Sequence, residues 1–390
     1  MITVDEALDR LFSLVTPLGT EEVPLIRAAG RVLAADAVAW RDQPPFAASA
    51  MDGYAVDGSA VHPGAQFTVI GEAAAGHGFE GRVGTGQAVR IFTGAPVPEG
   101  ADRIVIQEDV TREGERITLG DDLGDNTHLR PAGADFRTGD RITAPRVLGP
   151  ADIALLASMN VAHVRVTRKP QVALISTGDE LVMPGEEPGP DQIIASNTFG
   201  LKAMLDSMGA DARILPIARD TRASLETAFD LARGADLVVT IGGASVGDHD
   251  LVGDVTESLG MQRAFYKVRM RPGKPLMAGR MGGAAMIGLP GNPVSAMVCG
   301  HVFLAPAIRA MLGLGAERAP RLTARLAHDL PRGGPREHYM RADVRDGTIA
   351  PAERQDSALL SVLAGANALM IRPADDAPRK AGDVIDYLPL

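Results

Sequence analysis

The sequence predicts an α/β multidomain protein. Its parts are a central doubly wound αβα domain, an inserted β-rich domain, a helical part split around that insertion, and a small C-terminal β domain. Three observations predict it. At 390 residues the chain exceeds the roughly 250–300 residues that one hydrophobic core serves, so several domains are expected. From Lys169 to Leu314 short apolar runs alternate with helical ones, the pattern of a mostly parallel sheet covered on both faces. From Arg41 to Leu119 the texture is instead short alternating runs such as QFTVI, AVRIF and DRIVIQ between Gly and Pro clusters, which read as β-rich.

Thr3 with Glu6 forms a capping box, and Val4, Leu8, Leu11 and Val15 follow at helical spacing, so the chain opens on an amphipathic helix. After Gly149-Pro150 comes a second helical stretch, ADIALLASM, and then the strand VAHVRV. The β-rich domain, 41–127, therefore reads as an insertion into a discontinuous helical domain, 1–40 with 128–168. In 169–318 the strands QVALIS, ARILPIA, ADLVVTI and GAAMIGLP alternate with the helices NTFGLKAMLDSMG, SLETAFDLARG and VSAMVCGHVFLAPAIRAML. The remainder, 319–390, is again β-like.

A formal net charge of −10 with only 4% aromatic residues argues against a nucleic-acid partner, which would require a basic footprint or stacking rings. The single cysteine, Cys299, sits in an apolar run; it forms no intrachain disulfide and is expected buried and inert. MITVDEALDR carries Asp5 and Glu6 and lacks the apolar core of a secretory signal. The uncharged run Met281 to Ile308 is broken by Pro290-Gly291-Asn292-Pro293 and reads as strand, turn and helix, not as a membrane span. A cytoplasmic protein with no membrane partner is expected.

In an open α/β sheet the ligand lies beyond the carboxyl ends of the strands. The residues after each apolar run are Ser176-Thr177-Gly178-Asp179-Glu180, Arg219-Asp220, the run Gly242 to Asp250, Pro272-Gly273-Lys274 and Leu289-Pro290-Gly291-Asn292-Pro293. Hydroxyls, glycines, acids and bases thus collect on one edge. GGASVG offers backbone N–H groups through Gly242, Gly243, Ser245 and Gly247, although it is neither a Walker A loop nor a GxGxxG fingerprint. Asn292 is a good N-cap and Pro293 a good first helical residue, so a helix N-terminus with free N–H groups, and Ser295 in its first turn, is expected at the crevice. The segment YKVRMRPGKP, 266–275, gathers Lys267, Arg269, Arg271 and Lys274. If extended, it sets Lys267, Arg269 and Arg271 on one face about 6–7 Å apart, a wall for an anion. Asp179, Glu180, Asp220, Asp248 and Asp250 are hard oxygen donors of the kind that hold Mg²⁺ with substrate phosphates, whereas the histidines show no zinc-ligand spacing.

Taken in order, PPFAASAMDGYAV (44–56), FTGAPVP (92–98), PAGADF (131–136), STGDEL, GGASVGDHD, RMRPGKP and LPGNPVSAM resemble the molybdopterin molybdenumtransferases, the MoeA and gephyrin E-domain type of molybdenum insertase. The resemblance covers nearly the whole chain. It implies that the αβα domain binds molybdopterin and that the helical domain dimerises the chain, with each active site shared between subunits. The substrates it implies are adenylated molybdopterin and molybdate, with Mg²⁺ as cofactor and AMP released. Carried over motif by motif, Asp52 and Thr93 belong to the insertion site; Glu180, Asp220 and Asp250 serve Mg²⁺ or water; Lys267 and Arg271 meet the ligand's charges. Thr177, the GGASVG positions, Pro275 and Asn292 line the ligand site. Lys274 with Ser295, and Arg341 with Ser357, form the molybdate set, and Asp135 matches a further acid of the pattern. Arg271 stands where the family often has Lys, and His249 where Tyr is common. Possible protein partners are the molybdopterin adenylyltransferase, apo-molybdoenzymes and cofactor-maturation proteins. The αβα domain alone also resembles molybdopterin adenylyltransferases and nucleotide hydrolases, which leave the MDGYA-bearing domain unexplained; a non-enzymatic scaffold is the remaining alternative.

Overall fold

The computed structural model describes residues 1–243 and 251–390. Its central sheet has six strands in the order Asp211–Ile214, Gln171–Ser176, Leu237–Ile241, Ala284–Leu289, Met277–Met281, Gln262–Tyr266. The first four are parallel; Met277–Met281 pairs antiparallel with the fourth and Gln262–Tyr266 antiparallel with Met277–Met281. Alternate side chains serve opposite faces, as the pleat requires. Val172, Leu174, Val239 and Ile287 join one apolar cluster, whereas Ala173, Ile175, Val238 and Met286 join another. Helices α3 (Asn197–Ser207) and α6 (Pro293–Cys299, which runs on through Gly300–Leu304 into Ala305–Met311) cover the first face. Helices α4 (Arg222–Leu231) and α5 (Leu251–Ser258) cover the second. The stretch Pro293–Met311 is long and apolar enough to cross a membrane, but 83% of it is buried inside the protein, so it serves as a core helix. Cys299 is buried on it, and burial pushes its thiol pKa up, as an inert cysteine requires.

The opening helix α1 (Val4–Phe12) has the expected capping box between Thr3 and Glu6. Val4, Ala7, Leu8 and Leu11 pack into the first-face cluster of the central sheet. The second helix, α2 (Pro150–Ser158), packs elsewhere: Leu156 joins Val23, Leu33, Val164 and Val166. The two helices read as one part therefore do not share a core, because 3.6-residue periodicity identifies an apolar face but not what covers it. What joins 1–40 to 128–168 is strand pairing. Thr20–Pro24 pairs with His163–Thr167, Val32–Leu33 with Arg146–Val147, and Ala37–Val38 with Arg141–Ile142.

Between these paired segments the chain builds a six-stranded sheet, in the order Arg103–Ile106, Gly53–Val56, Gln87–Ile91, Gln66–Ala73, Arg116–Leu119, Val110–Glu113. At the C-terminus five strands close a ring in which Glu337–Arg345 pairs with both Thr348–Pro351 and Ala368–Arg372. Met270–Arg271 joins that ring beside Glu337–His338.

The basic segment is consequently not one strand. The edge strand ends at Tyr266, and Lys267 turns the backbone at φ 67°. Val268 then pairs with Ile2, and Met270–Arg271 belongs to the C-terminal ring. The single row of Lys267, Arg269 and Arg271 is thereby broken. Arg269 is used structurally, with Nε donating to the Pro335 carbonyl at 2.6 Å and Nη2 to Asp375 at 2.9 Å.

Candidate active site

A cavity of about 1060 Å³ opens where the strands Gln171–Ser176, Leu237–Ile241 and Ala284–Leu289 end. Of the residues singled out from the sequence, Thr177, Glu180, Asp220, Gly242, Gly243, Pro275 and Asn292 line it. Ser245, Gly247 and Asp250, with Asp248 and His249, lie outside the described residues.

The local backbone explains the glycines. Gly242 and Gly243 have φ of 96° and 65°, in the left-handed region where a side chain is costly. A Cβ on Gly242 would stand 2.7 Å from the Thr177 carbonyl oxygen, and one on Gly243 would collide with Val252. The strand end can therefore approach a ligand with bare backbone. Thr177 Oγ1 is buried beside these glycines and has no hydrogen-bond partner among the described residues. Thr177 lines the cavity, and a buried donor left unmade costs about 1–3 kcal/mol, so the hydroxyl invites a polar ligand atom.

Arg219 contributes what residue type alone did not reveal. Its Nη1 donates to the carbonyls of Asp179 at 3.0 Å and Leu181 at 3.1 Å. It ties the loop bearing Glu180 to the strand end bearing Asp220, while the Asp220 N–H donates to Asp179 Oδ1 at 3.2 Å. Asn197 Nδ2 donates to the Gly291 carbonyl at 2.7 Å, fixing the turn before α6. Ser196, Asn197 and Asp254 line the cavity as well. The signal for the first two was the start of a helix that follows a strand edge; nothing in the sequence singled out Asp254.

At α6 the cap is as expected in position but not in bonding. Asn292 is extended and Pro293 follows, yet the Asn292 side chain makes no cap hydrogen bond. The Val294 N–H is not free, for it donates to the Ser357 carbonyl at 3.0 Å. Ser295 is buried in the first turn and does not line the cavity. The contact brings the C-terminal domain to the cavity, where Ala358 forms part of the wall. Arg341 holds that loop: buried, it donates to the carbonyls of Asp356 at 2.9 Å and Arg354 at 3.0 Å. Its Nε is left without a partner among the described residues.

Lys274 and Arg271 are exposed, and neither side chain has a hydrogen-bond or ion-pair partner among the described residues. Lys267 lies 4.8 Å from the Tyr266 ring centroid. The field around Arg271 and Arg341 is strongly positive. His338, paired with Arg271 across the strands, has its pKa pushed down to about 4 by burial and then by Arg271, Arg341, Arg336 and Arg372. Arg372 is neutralised by Asp376, whereas Arg271 has no acidic partner among the described residues, so an anion beside Arg271 would meet an unpaired charge.

Asp52 and Thr93 lie in the β-rich domain and do not line the cavity. They form a tight pair: Asp52 Oδ1 accepts from both Thr93 N and Thr93 Oγ1 at 2.8 Å. These two bonds, with the Arg90 charge, hold the carboxyl below the usual carboxylate range. Asp135 is exposed, and its N–H donates to the Gln43 carbonyl.

No group of three or more His, Cys, Asp or Glu is placed to hold a metal ion among the described residues. Mg²⁺ needs fewer, since one or two carboxylates suffice when substrate phosphates and water complete its shell. Glu180 and Asp220 in the cavity wall fit that requirement.

Comparison with known proteins agrees along the chain. Residues 2–160 match the MoeA N-terminal region (domains I and II), 173–310 a probable molybdopterin-binding domain, and 323–390 the MoeA C-terminal region (domain IV). A molybdopterin molybdenumtransferase from Haemophilus influenzae is 38% identical, covering 80% of this chain and 78% of its own. One from a Nostoc species is 36% identical, covering 87% and 81%. A solved structure of a molybdopterin biosynthesis MoeA protein from Pyrococcus horikoshii superposes with a TM-score of 0.84 at 27% identity, over the full length of both chains. The chain belongs to the molybdopterin molybdenumtransferase family, transferases of molybdenum cofactor biosynthesis.

Proposed function

We propose that this protein transfers molybdenum from molybdate to adenylated molybdopterin, cleaving the phosphoanhydride in a Mg²⁺-dependent step and releasing molybdenum cofactor and AMP. The observation that carries this reading is the cavity at the strand ends. It combines bare backbone at Gly242 and Gly243, a Thr177 hydroxyl unpartnered among the described residues, and the carboxylates of Glu180 and Asp220 in one wall. Thr177, the two glycines, Pro275 and Asn292 would hold the pterin and its phosphate.

Cleaving a phosphoanhydride requires negative charge on oxygen to be neutralised and the attacking oxygen to be positioned. Glu180 and Asp220, with Asp250, would hold Mg²⁺, which supplies charge neutralisation at the phosphate oxygens. Lys267, Arg271 and Lys274 would neutralise the ligand's charge from the other side, and no covalent nucleophile is needed. Lys274, Ser295, Arg341 and Ser357 would take the molybdate. Arg341 acts in large part through the 352–357 loop that its guanidinium holds.

Asp52 and Thr93 complete the site in this reading from a second copy of the chain, in a cytoplasmic homodimer. The exposed Ile26, Trp40 and Val147 provide apolar surface for such pairing. The test is incubation of the purified protein with adenylated molybdopterin, molybdate and Mg²⁺. AMP release that requires molybdate is expected. Turnover of free molybdopterin with ATP instead would replace this reading with an adenylyltransferase, and no nucleotide chemistry at all would favour a scaffold.

A further inference from the structure

The corner that presents Asp52 and Thr93 rests on a residue that the assignments above do not include. Arg90, on the strand Gln87–Ile91, lies opposite Tyr54. Its guanidinium lies over two rings, 5.1 Å from the Tyr54 centroid and 4.7 Å from the Phe92 centroid. Nη1 donates to the Gly53 carbonyl at 3.1 Å and Nη2 to Gln107 Oε1 at 2.6 Å. The Gln107 N–H donates to the Asp52 carbonyl at 3.1 Å. One side chain thus joins the start of the strand after Asp52, the end of the strand before Thr93, and the turn that bonds the Asp52 backbone. The carboxylate is bound through Oδ1 alone, so Oδ2 is left free among the described residues.

We propose that Arg90 is the positioning residue of the Asp52–Thr93 pair, locking the three chain segments and holding its charge beside an Asp52 carboxylate whose Oδ2 is presented outward. Two features separate this role from simple packing. The guanidinium is fixed on both sides, by the rings and by two hydrogen bonds, so its charge stays in place beside Asp52. Among the described residues it is also the one cation that acts on Asp52; the neighbouring elements carry Glu72, opposite Arg90, and Glu108 and Asp109, on the 107–109 turn.

The proposal rests on the functional reading only in giving Asp52 a use; its test does not. In the full-length protein labelled with ¹⁵N-threonine, the Thr93 amide reports Asp52 ionisation through their hydrogen bond, with Asp52→Asn as the blank. The midpoint for the wild-type protein is expected below the usual carboxylate range, chiefly through the two Thr93 hydrogen bonds. It is expected to move upward in Arg90→Gln, which removes the charge, and to move less in Arg90→Lys, which keeps the charge but loses the fork. Unmoved midpoints in both variants would overturn the proposal, even if both melt at lower temperature. If Arg90→Gln does not fold, the Arg90→Lys midpoint decides alone: an upward shift supports the proposal and an unchanged one overturns it. AMP release measured on the same samples separates the two claims, since an inactive wild-type protein with a shifted Arg90→Gln midpoint would count against the proposed function and not against this role.

Discussion

The central sheet has a cavity at each end, and the two differ in chemistry. At the carboxyl end the wall carries Thr177 with its unpartnered hydroxyl, Glu180, Asp220 and two glycines in left-handed conformations. At the amino end a smaller hollow of about 460 Å³ is lined by Phe229, Leu259, Met281 and the turn residues Gly234, Ala235, Gly282 and Gly283. Polar groups near this end are satisfied. Asp236 accepts from Arg168 at 2.6 and 2.7 Å and from the Gln171 N–H at 2.8 Å, and Asp230 pairs with Arg233 at 2.7 Å. The same strands therefore end in closed bonding on one side and open bonding on the other. Parallel topology places the loops that follow the four parallel strands on one edge, so a ligand site concentrates there while the opposite edge is free to be tied down.

This contrast is broken most strongly at the carboxyl end. Glu180→Gln with Asp220→Asn should lower AMP release by about 10²-fold or more while leaving thermal unfolding nearly unchanged, because neither carboxylate is spent on the fold. A variant of unaltered rate would remove these acids from the site. Lys274→Ala should lower molybdate-dependent release comparably, since its ammonium has no protein partner to lose.

At the amino end the effect should fall on stability instead. Burial acts to raise the Asp236 pKa, but the bonds and charge of Arg168 and the Gln171 N–H outweigh it, so the carboxyl is held below its usual range. A depressed folded-state pKa contributes stability that is present above the unfolded value of about 4 and is lost as pH falls through the folded one. Asp236→Asn should therefore cost roughly 2 kcal/mol at pH 7, and the gap from the wild type should close on acidification. Chemical denaturation at neutral and acidic pH measures both, and a pH-independent gap would contradict the ion-pair account.

Thr177→Val sharpens the comparison at smaller scale. Removing an unpartnered buried hydroxyl should leave stability equal or slightly raised, while affinity for adenylated molybdopterin falls about tenfold, the loss of one hydrogen bond. Asp230→Ala, which removes an exposed ion pair at the amino end, should change stability by less than about 0.5 kcal/mol and leave AMP release alone.

Much of this site was legible because strand ends are. The apolar runs locate the edge, and the residues that follow them, Thr177, Glu180, Asp220, Gly242 and Asn292, share one cavity. What residue patterns missed was set by long-range contact. The apolar face of α1 was visible, but its docking on the central sheet was not. Alternation in YKVRMRPGKP suggested one charged face, which the turn at Lys267 and the pairing of Met270–Arg271 with the C-terminal ring divide. Arg219 and Arg90 look like ordinary surface cations in sequence; only the carbonyls and rings they meet show that they hold the loops bearing the acids.

The most direct test of the central claim is a crystal structure of the protein with adenylated molybdopterin bound. Density for the ligand along Thr177, Gly242, Gly243 and Asn292, with its phosphates toward Glu180 and Asp220, is the predicted result. Ligand density elsewhere, with the strand-end cavity empty, would contradict it.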